Sequence, residues 1–251
     1  MVSVRMAESK VLKTCIGMMV NLIEEAAFKF TPEGIKMKAM DPSHIALVDF
    51  ELPATAFVEY NVKQPTVLGI NLLEMNKIMS RGKAEDELIL EFDEKQNRMG
   101  LTFKGVSTRR LSLPLIDVRE AELPEPKLQF TATAEVLAGV IQDGLKDAEI
   151  VGDNVRFEIS DNGLVISAES EKGTTELKLG KGDKGLAKLN VKQPTRAMFN
   201  IKYLGDMTKA ASSTDFITIN LGMDLPIQLD FLVAEGKGRL RFLLAPRIEA
   251  E

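Results

Sequence analysis

A chain of 251 residues, 45% apolar and 27% charged, can bury a core, keep a solvated surface and hold one large domain or two ordinary ones. Its formal net charge of −5 argues against gripping nucleic acid by bulk electrostatics, so any such role depends on where the cations are placed. There is no uncharged apolar run of about 18 residues to span a membrane, no signal peptide is expected at MVSVRMAESK, and the single cysteine, Cys15, excludes an internal disulfide or a CxxC metal site, which fits a reducing compartment.

Residues 9–23 carry Val11, Leu12, Cys15, Ile16, Met19, Val20 and Ile23 at helical spacing, predicting an amphipathic helix opened by Glu8 or Ser9. Partly alternating apolar residues then predict strands at 27–30, 35–40 and 45–52, with Pro32-Glu33-Gly34 as a turn: proline presets φ and glycine permits a positive one. A second helix is predicted at 71–80, with Asn71 as its N-cap and Leu72, Met75, Ile78 and Met79 facing inward. Strands follow near 88–92, 99–104 and 108–115. The stretch from Asp117 to Lys127 is acidic, proline-bearing and poor in large apolar residues, so it reads as a linker. Beyond it the pattern predicts a helix at 134–146, strands at 155–160, 164–169 and 174–179, a helix at 200–210, and strands at 216–221, 226–233 and 239–244. Asp161-Asn162-Gly163 is a hairpin signal, since Asn and Gly tolerate the left-handed region. Each half thus holds two helices and about eight strands, an α+β class.

The halves repeat each other. Asn-Val-Lys-Gln-Pro-Thr stands at 61–66 and again at 190–195, an offset of 129 residues. At the same offset Gly34 meets Gly163, Ala39 meets Ala168, Asn71 meets Asn200, and Arg110-Leu111 meets Arg239-Leu240. That period is far too long for a solenoid and matches a whole domain. The division expected is 1–116, a connector at 117–128, and 129–251.

Cations sit on the outer side of the predicted helices. Lys10 and Lys13 lie opposite the first apolar stripe, Lys77 lies outward on the second helix with Arg81 and Lys83 just after it, Lys146 trails the third, and Lys202 and Lys209 are two turns apart on the fourth. Acidic residues concentrate elsewhere, at 86–87, 91–94, 120–125 and 249–251. A lysine-bearing helix face is ordinarily only a solvated surface, and composition alone does not separate the two readings.

Three segments resemble the sliding clamps of the proliferating cell nuclear antigen family: Met40-Asp41-Pro42-Ser43-His44-Ile45-Ala46-Leu47-Val48, the connector from Leu115-Ile116-Asp117-Val118 through Leu123-Pro124, and Leu243-Leu244-Ala245-Pro246-Arg247-Ile248-Glu249. The short C-terminus looks more archaeal than eukaryotic. The resemblance implies a DNA-clamp fold closing as a trimer into a pseudo-sixfold ring, with helices lining the hole and sheets outside. It implies a processivity factor that encircles double-stranded DNA, with Lys13, Lys77 and Lys209 at channel positions; Lys10, Lys146 and Lys202 join them by helical geometry. Ser80 stands where eukaryotic members commonly have lysine.

The resemblance further implies that DNA polymerase, clamp loader, flap endonuclease and DNA ligase dock hydrophobic-aromatic peptides in a pocket beneath the connector. The matching positions are Met40, Ile45, Leu47, Leu123, Pro124, Leu128, Pro226, Leu243, Ala245 and Pro246. At the ring joint the strand around Thr108–Leu113 is expected to pair with Thr174–Leu179 of a neighbour, through Leu177 and Leu179. Arg81, Lys83, Arg109 and Arg110 would approach Asp143 and Asp147 there.

No catalytic set, cofactor or metal site is expected. His44 has no second histidine or cysteine to share a metal, Cys15 lies on an apolar stripe, and Gly180-Lys181-Gly182-Asp183-Lys184-Gly185 lacks the GxxxxGK[ST] pattern, so it reads as a hairpin or loop. A clamp-fold scaffold with incidental DNA contact and a nuclease or transferase on duplicated domains are the rival readings. A cytoplasmic, nucleoid-associated location is expected for an archaeal protein, a nuclear one for a eukaryotic protein.

Overall fold

Short amphipathic strands linked by tight turns build the chain from its first residues. The computed structural model describes residues 2–118, 123 and 128–247. In chain order the first half contains β1 (Val2–Met6), α1 (Lys10–Met19), β2 (Glu25–Thr31), β3 (Gly34–Met40) and β4 (Ala46–Pro53). A 3-10 turn at Ala54–Ala56 follows, then β5 (Glu59–Val62), β6 (Thr66–Asn71), α2 (Leu72–Arg81), β7 (Glu87–Asp93), β8 (Arg98–Lys104) and β9 (Thr108–Pro114). The second half runs β10 (Ala132–Leu137), α3 (Ala138–Val151), β11 (Asn154–Ser160), β12 (Gly163–Ser170) and β13 (Gly173–Gly180). It continues with β14 (Leu186–Val191), β15 (Thr195–Asn200), α4 (Ile201–Thr208), β16 (Phe216–Leu221), β17 (Ile227–Val233) and β18 (Gly238–Leu244).

Contacts divide the chain into two compact units: Met1–Pro42, Val48–Leu123 and Leu232–Leu240 form one, and Ser43–Leu47, Pro124–Phe231 and Arg241–Glu251 the other. In the first unit, strands β5-β1-β7-β8-β9 make one sheet, β3 and β6 flank β2, and α1 packs beside α2. In the second, β13-β12-β11-β15 make a four-stranded sheet, β14 and β16 flank β10, and α3 packs beside α4 and onto β10 to β13. Both cores form from the inward sides of alternating strands and the apolar stripes of the helices, with Phe30, Phe50 and Phe103 buried in one and Phe157, Phe199 and Phe242 in the other.

The 129-residue offset holds in the backbone. Thr31 pairs with Gly34 across the Pro32-Glu33 turn, and Ser160 pairs with Gly163 across Asp161-Asn162. Gly34 and Gly163 take φ of +151° and +141°, whereas Asn162 keeps a negative φ. What demands glycine is close backbone approach: a Cβ at Gly34 would lie 2.4 Å from the Leu52 carbonyl oxygen, and one at Gly163 1.9 Å from that of Leu179.

Several elements differ from expectation. The helix predicted at 134–146 begins only at Ala138, because Ala132–Leu137 is a strand held on both sides by β14 and β16; Ala132, Ala134 and Val136 are buried while Thr133, Glu135 and Leu137 are half-buried. Two flanking ladders override the helix preference of Ala, Glu and Leu. The same helix runs on to Val151, so Lys146 lies inside it and does not trail it. The first helix stops at Met19, and Leu22 and Ile23 are buried beyond it. Strands β1, β5 and β6 in the first half, and β10, β14 and β15 in the second, bring each half to nine strands among the described residues, where about eight were expected. The 180–185 segment is a loop and no hairpin, since it leads from β13 to β14 in a different sheet, with Asp183 accepting from the Gly180 N–H at 2.7 Å.

Candidate functional site

Each helix pair is set in place by the strand before its second helix and by the loop after it. β6 runs straight into α2 and β15 into α4, with an asparagine cap at each junction, the one expected at Asn71 and a second at Asn200, which the sequence pattern put inside the helix: Asn71 accepts from the Glu74 N–H at 2.9 Å, Asn200 from that of Tyr203 at 3.3 Å. The loop after the second helix receives the start of the first. Ser9 and Lys10 N–H groups donate to the Asp86 and Ala84 carbonyls at 2.7 and 3.1 Å; 129 residues on, Ala138 and Gly139 donate to Asp215 and Ser213 at 2.8 and 3.0 Å. The repeat therefore presents two equivalent helix pairs, one per unit.

Lysines stand on the solvent side of both pairs. Lys10, Lys77, Lys146, Lys202 and Lys209 are exposed. Lys77 meets Glu74 at 2.7 Å and Lys146 meets Asp143 at 3.2 Å, each a pair three residues apart on a helix whose small net worth leaves the ammonium available to another anion. Lys202 and Lys209 flank Asp206, whose carboxyl burial pushes up while the two lysines pull it down. A groove of about 410 Å³ between α3 and α4 is lined by Lys146, Lys202, Lys209, Glu149 and Asp206. Lys13 is different: it is half-buried and donates to the Gly82 carbonyl at 2.8 Å.

The positions assigned to a peptide pocket lie on both units. In the second, the Ala245 N–H donates to the Ile45 carbonyl at 2.8 Å, bringing the signature segment and the C-terminal segment side by side. Along β18 the alternation puts Leu240, Phe242 and Leu244 in the core and Leu243 on the other face, half-buried. Leu47 shares its strand face with polar Asp49 and Glu51 yet is only 5% exposed. Leu128, Pro226, Ala245 and Pro246 are half-buried, as are Met40 and Leu123 of the first unit; Pro124 lies outside the described residues. His44 is exposed, with φ +59°.

β9 ends the sheet of the first unit and β13 ends the four-stranded sheet of the second, so each offers an edge. Arg81, Lys83 and Arg110 are exposed near one, and Asp143, Asp147 and Thr174 near the other; Leu177 is half-buried and Leu179 buried. Arg109 is committed within its own unit, to the buried Asp86 carboxylate and the Arg81 carbonyl. Sequence reasoning missed Asp86, Gln142 and Asp206; the 129-residue spacing, carried through position by position, pairs Asp86 with Asp215 and Gln142 with Lys13. Cys15 is buried and its thiol is pushed up to about 12 by desolvation, as suits a core residue. Among the described residues no three His, Cys, Asp or Glu side chains group as metal ligands, and no helix is long and apolar enough to cross a membrane.

Two copies of one α+β unit, each backed by antiparallel sheet and each turning a cation-bearing helix pair to solvent, define a DNA-clamp fold. Residues 1–121 match the family described as proliferating cell nuclear antigen, N-terminal domain, and residues 125–247 match its C-terminal domain; the chain belongs to the proliferating cell nuclear antigen family. It is 44% identical over 229 residues to DNA polymerase sliding clamp 1 of Thermococcus kodakarensis, covering 91% of both chains, and 42% identical over 228 residues to the DNA polymerase sliding clamp of Pyrococcus furiosus, again covering 91% of each. The crystal structure of a Thermococcus kodakaraensis PCNA superposes with a TM-score of 0.95 at 29% identity, over 98% of this chain and 100% of that one. A structure of the FEN-1 C-terminal region bound to A. fulgidus PCNA does so at 0.88 and 28%, over 100% of both.

Proposed function

We propose that this chain is the subunit of a DNA polymerase sliding clamp, a processivity factor that encircles duplex DNA and recruits replication and repair proteins. The observation that carries this reading is the repeated cation-bearing helix pair, in a chain 44% identical over 91% of its length to a protein named as such a clamp. Two similar domains, 1–116 and 129–251, joined by a connector at 117–128, supply two helix pairs per chain; three copies supply six. The edge strand β9 of one copy pairs with β13 of the next, which removes both exposed edges. Lys10, Lys77, Lys146, Lys202 and Lys209 then meet the phosphates. Net acidity is no obstacle, because a closed ring holds DNA by topology and sliding needs weak, sequence-blind contacts.

The protein acts as a binding platform and not as an enzyme. Peptides carrying a hydrophobic-aromatic cluster dock over Leu47, Leu128, Leu243 and Pro246, with main-chain carbonyls of the 245–247 segment as acceptors. The FEN-1 C-terminal region bound to the A. fulgidus relative supports recruitment of such partners, and polymerase, clamp loader and ligase are the further ones. A cytoplasmic place beside the nucleoid fits the archaeal relatives.

Retention on DNA tests the assignment. Protein loaded onto nicked circular duplex is expected to survive a high-salt wash and to be lost when the circle is linearised. Equal retention on circular and linear DNA would refute encirclement.

A further inference from the structure

The duplication places Gln142 at the position of Lys13 and Ala211 at that of Gly82. The two side chains make the same contact. Lys13 Nζ donates to the Gly82 carbonyl at 2.8 Å; Gln142 Nε2 donates to the Ala211 carbonyl at 3.1 Å and to that of Thr208 at 2.8 Å. The receiving segments match as well, since the Gly82 N–H bonds back to Met79 at 3.1 Å and the Ala211 N–H to Thr208 at 3.0 Å. In each unit, then, a side chain from the first helix caps the end of the second, where carbonyls lack intrahelical partners and the helix dipole is negative. One cap is cationic and the other neutral. What the two share is an N–H donor on a long side chain, so the common requirement is a hydrogen bond and not a charge.

We propose that Lys13, the position the family resemblance assigns to phosphate, is a positioning residue: it clasps α1 to the C-terminal end of α2 and so fixes the face on which Lys10 and Lys77 stand. The residue is half-buried and its Nζ is held 2.8 Å from the Gly82 carbonyl, so it adds less to the charge that DNA meets than the exposed Lys10 and Lys77. The clasp stands on geometry alone, while its consequence for DNA rests on the sliding-clamp reading.

Full-length Lys13→Gln, Lys13→Ala and Lys77→Gln proteins separate the possibilities by two measurements. In amide hydrogen exchange, Lys13→Ala is expected to lose about five- to tenfold protection over residues 79–84, the effect of one hydrogen bond, while Lys13→Gln stays near wild type. Should Lys13→Ala fail to fold, a folded Lys13→Gln with wild-type protection is the rescue that supports the clasp. In the salt dependence of binding to nicked circular duplex, Lys77→Gln is expected to lower the log–log slope by about 0.9, and Lys13→Gln to leave it unchanged. Wild-type protection in Lys13→Ala, or a slope lowered in Lys13→Gln as much as in Lys77→Gln, would overturn the proposal. A wild-type protein that is not retained on the circle would sink the sliding-clamp reading instead, and the exchange measurement would still decide the clasp.

Discussion

Replacing Arg109 by methionine isolates a contact that only the first unit possesses. The Asp86 side chain is 3% exposed, and its Oδ2 accepts both the Arg109 guanidinium and the Lys83 N–H, the latter at 3.0 Å. Gly105 lies so close to it that a Cβ there would come within 2.1 Å of Asp86 Oδ1. Arg109 also donates to the Arg81 carbonyl and lies 5.8 Å from the centre of the Phe103 ring. Breaking a fully buried ion pair costs about 3–5 kcal/mol, but the Arg109 side chain keeps 36% exposure, so screening scales that down. A hydrogen bond to a charged group contributes about 1.5–3 kcal/mol. Methionine preserves the stem's packing on Phe103, which leaves about 2–3 kcal/mol for the lost pair, a melting-temperature fall of about 5–10 °C in a chain of this size. Asp86→Asn keeps an acceptor for the Lys83 N–H while removing the stranded charge. The double variant Asp86→Asn/Arg109→Met is therefore expected to be more stable than Arg109→Met alone by about 1–2 kcal/mol, read from a double-mutant cycle in calorimetry or urea. An Arg109→Met cost below about 0.5 kcal/mol, or strictly additive variants, would show that the pair does not hold this corner.

Alanine at Gly163 or Gly34 is expected to cost at least about 2 kcal/mol, because strained φ adds to a clash with the Leu179 or Leu52 carbonyl. Gly173 has the same φ of +141° with nothing within 4 Å, so Gly173→Ala should cost clearly less in urea denaturation; equal costs would place the whole effect in φ and none in the close approach. Glu87 tests the sign of an acid response. Its hydrogen bonds to Arg5 and then Lys104 hold the carboxyl below its ordinary range, so its contribution is present above the unfolded value and is lost as pH falls through the lower folded value. The melting-temperature gap between wild type and Glu87→Gln should shrink as pH drops below about 4, and a gap that widens on acidification would contradict the assignment.

Local chemistry made some of this legible before any coordinates. Asn71 announced α2 because an asparagine ahead of an apolar stripe has one obvious task, and Leu72, Met75 and Met79 are buried as that stripe requires. Its repeat at Asn200 caps α4 in the same way, just outside the helix, where the pattern predicts a helix over 200–210. The strand β10 was misread because Ala132, Ala134 and Val136 suit a helix as well as a strand over so short a run, and only the ladders to β14 and β16 decide. Lys13 shows what periodicity leaves out. Helical spacing puts its Cβ outward, but a side chain four carbons long reaches back to Gly82, and periodicity carries no information about where a flexible end settles. Asp86 looked like part of an acidic surface run; its burial depends on Gly105 and Arg109, each roughly twenty residues away in sequence.

The helix faces combine cation and anion in a way that bears on how a ring of this kind would hold DNA. Lys77 has Glu74 on its own helix, Lys146 has Asp143, and Lys202 and Lys209 share Asp206. A phosphate that reaches one of these lysines shares it with a carboxylate within one turn, so each new contact competes with a weak pair and gains less than an unpaired ammonium would. Such contacts fall away quickly as salt rises and leave little barrier between one register on the duplex and the next. Under the proposed function this compensation is useful: the ring keeps hold of DNA by closure, and its inner charge need only guide the duplex without arresting it. The chain's net charge of −5 is then consistent with cationic helices, since the acids that outnumber the bases also temper them where they stand.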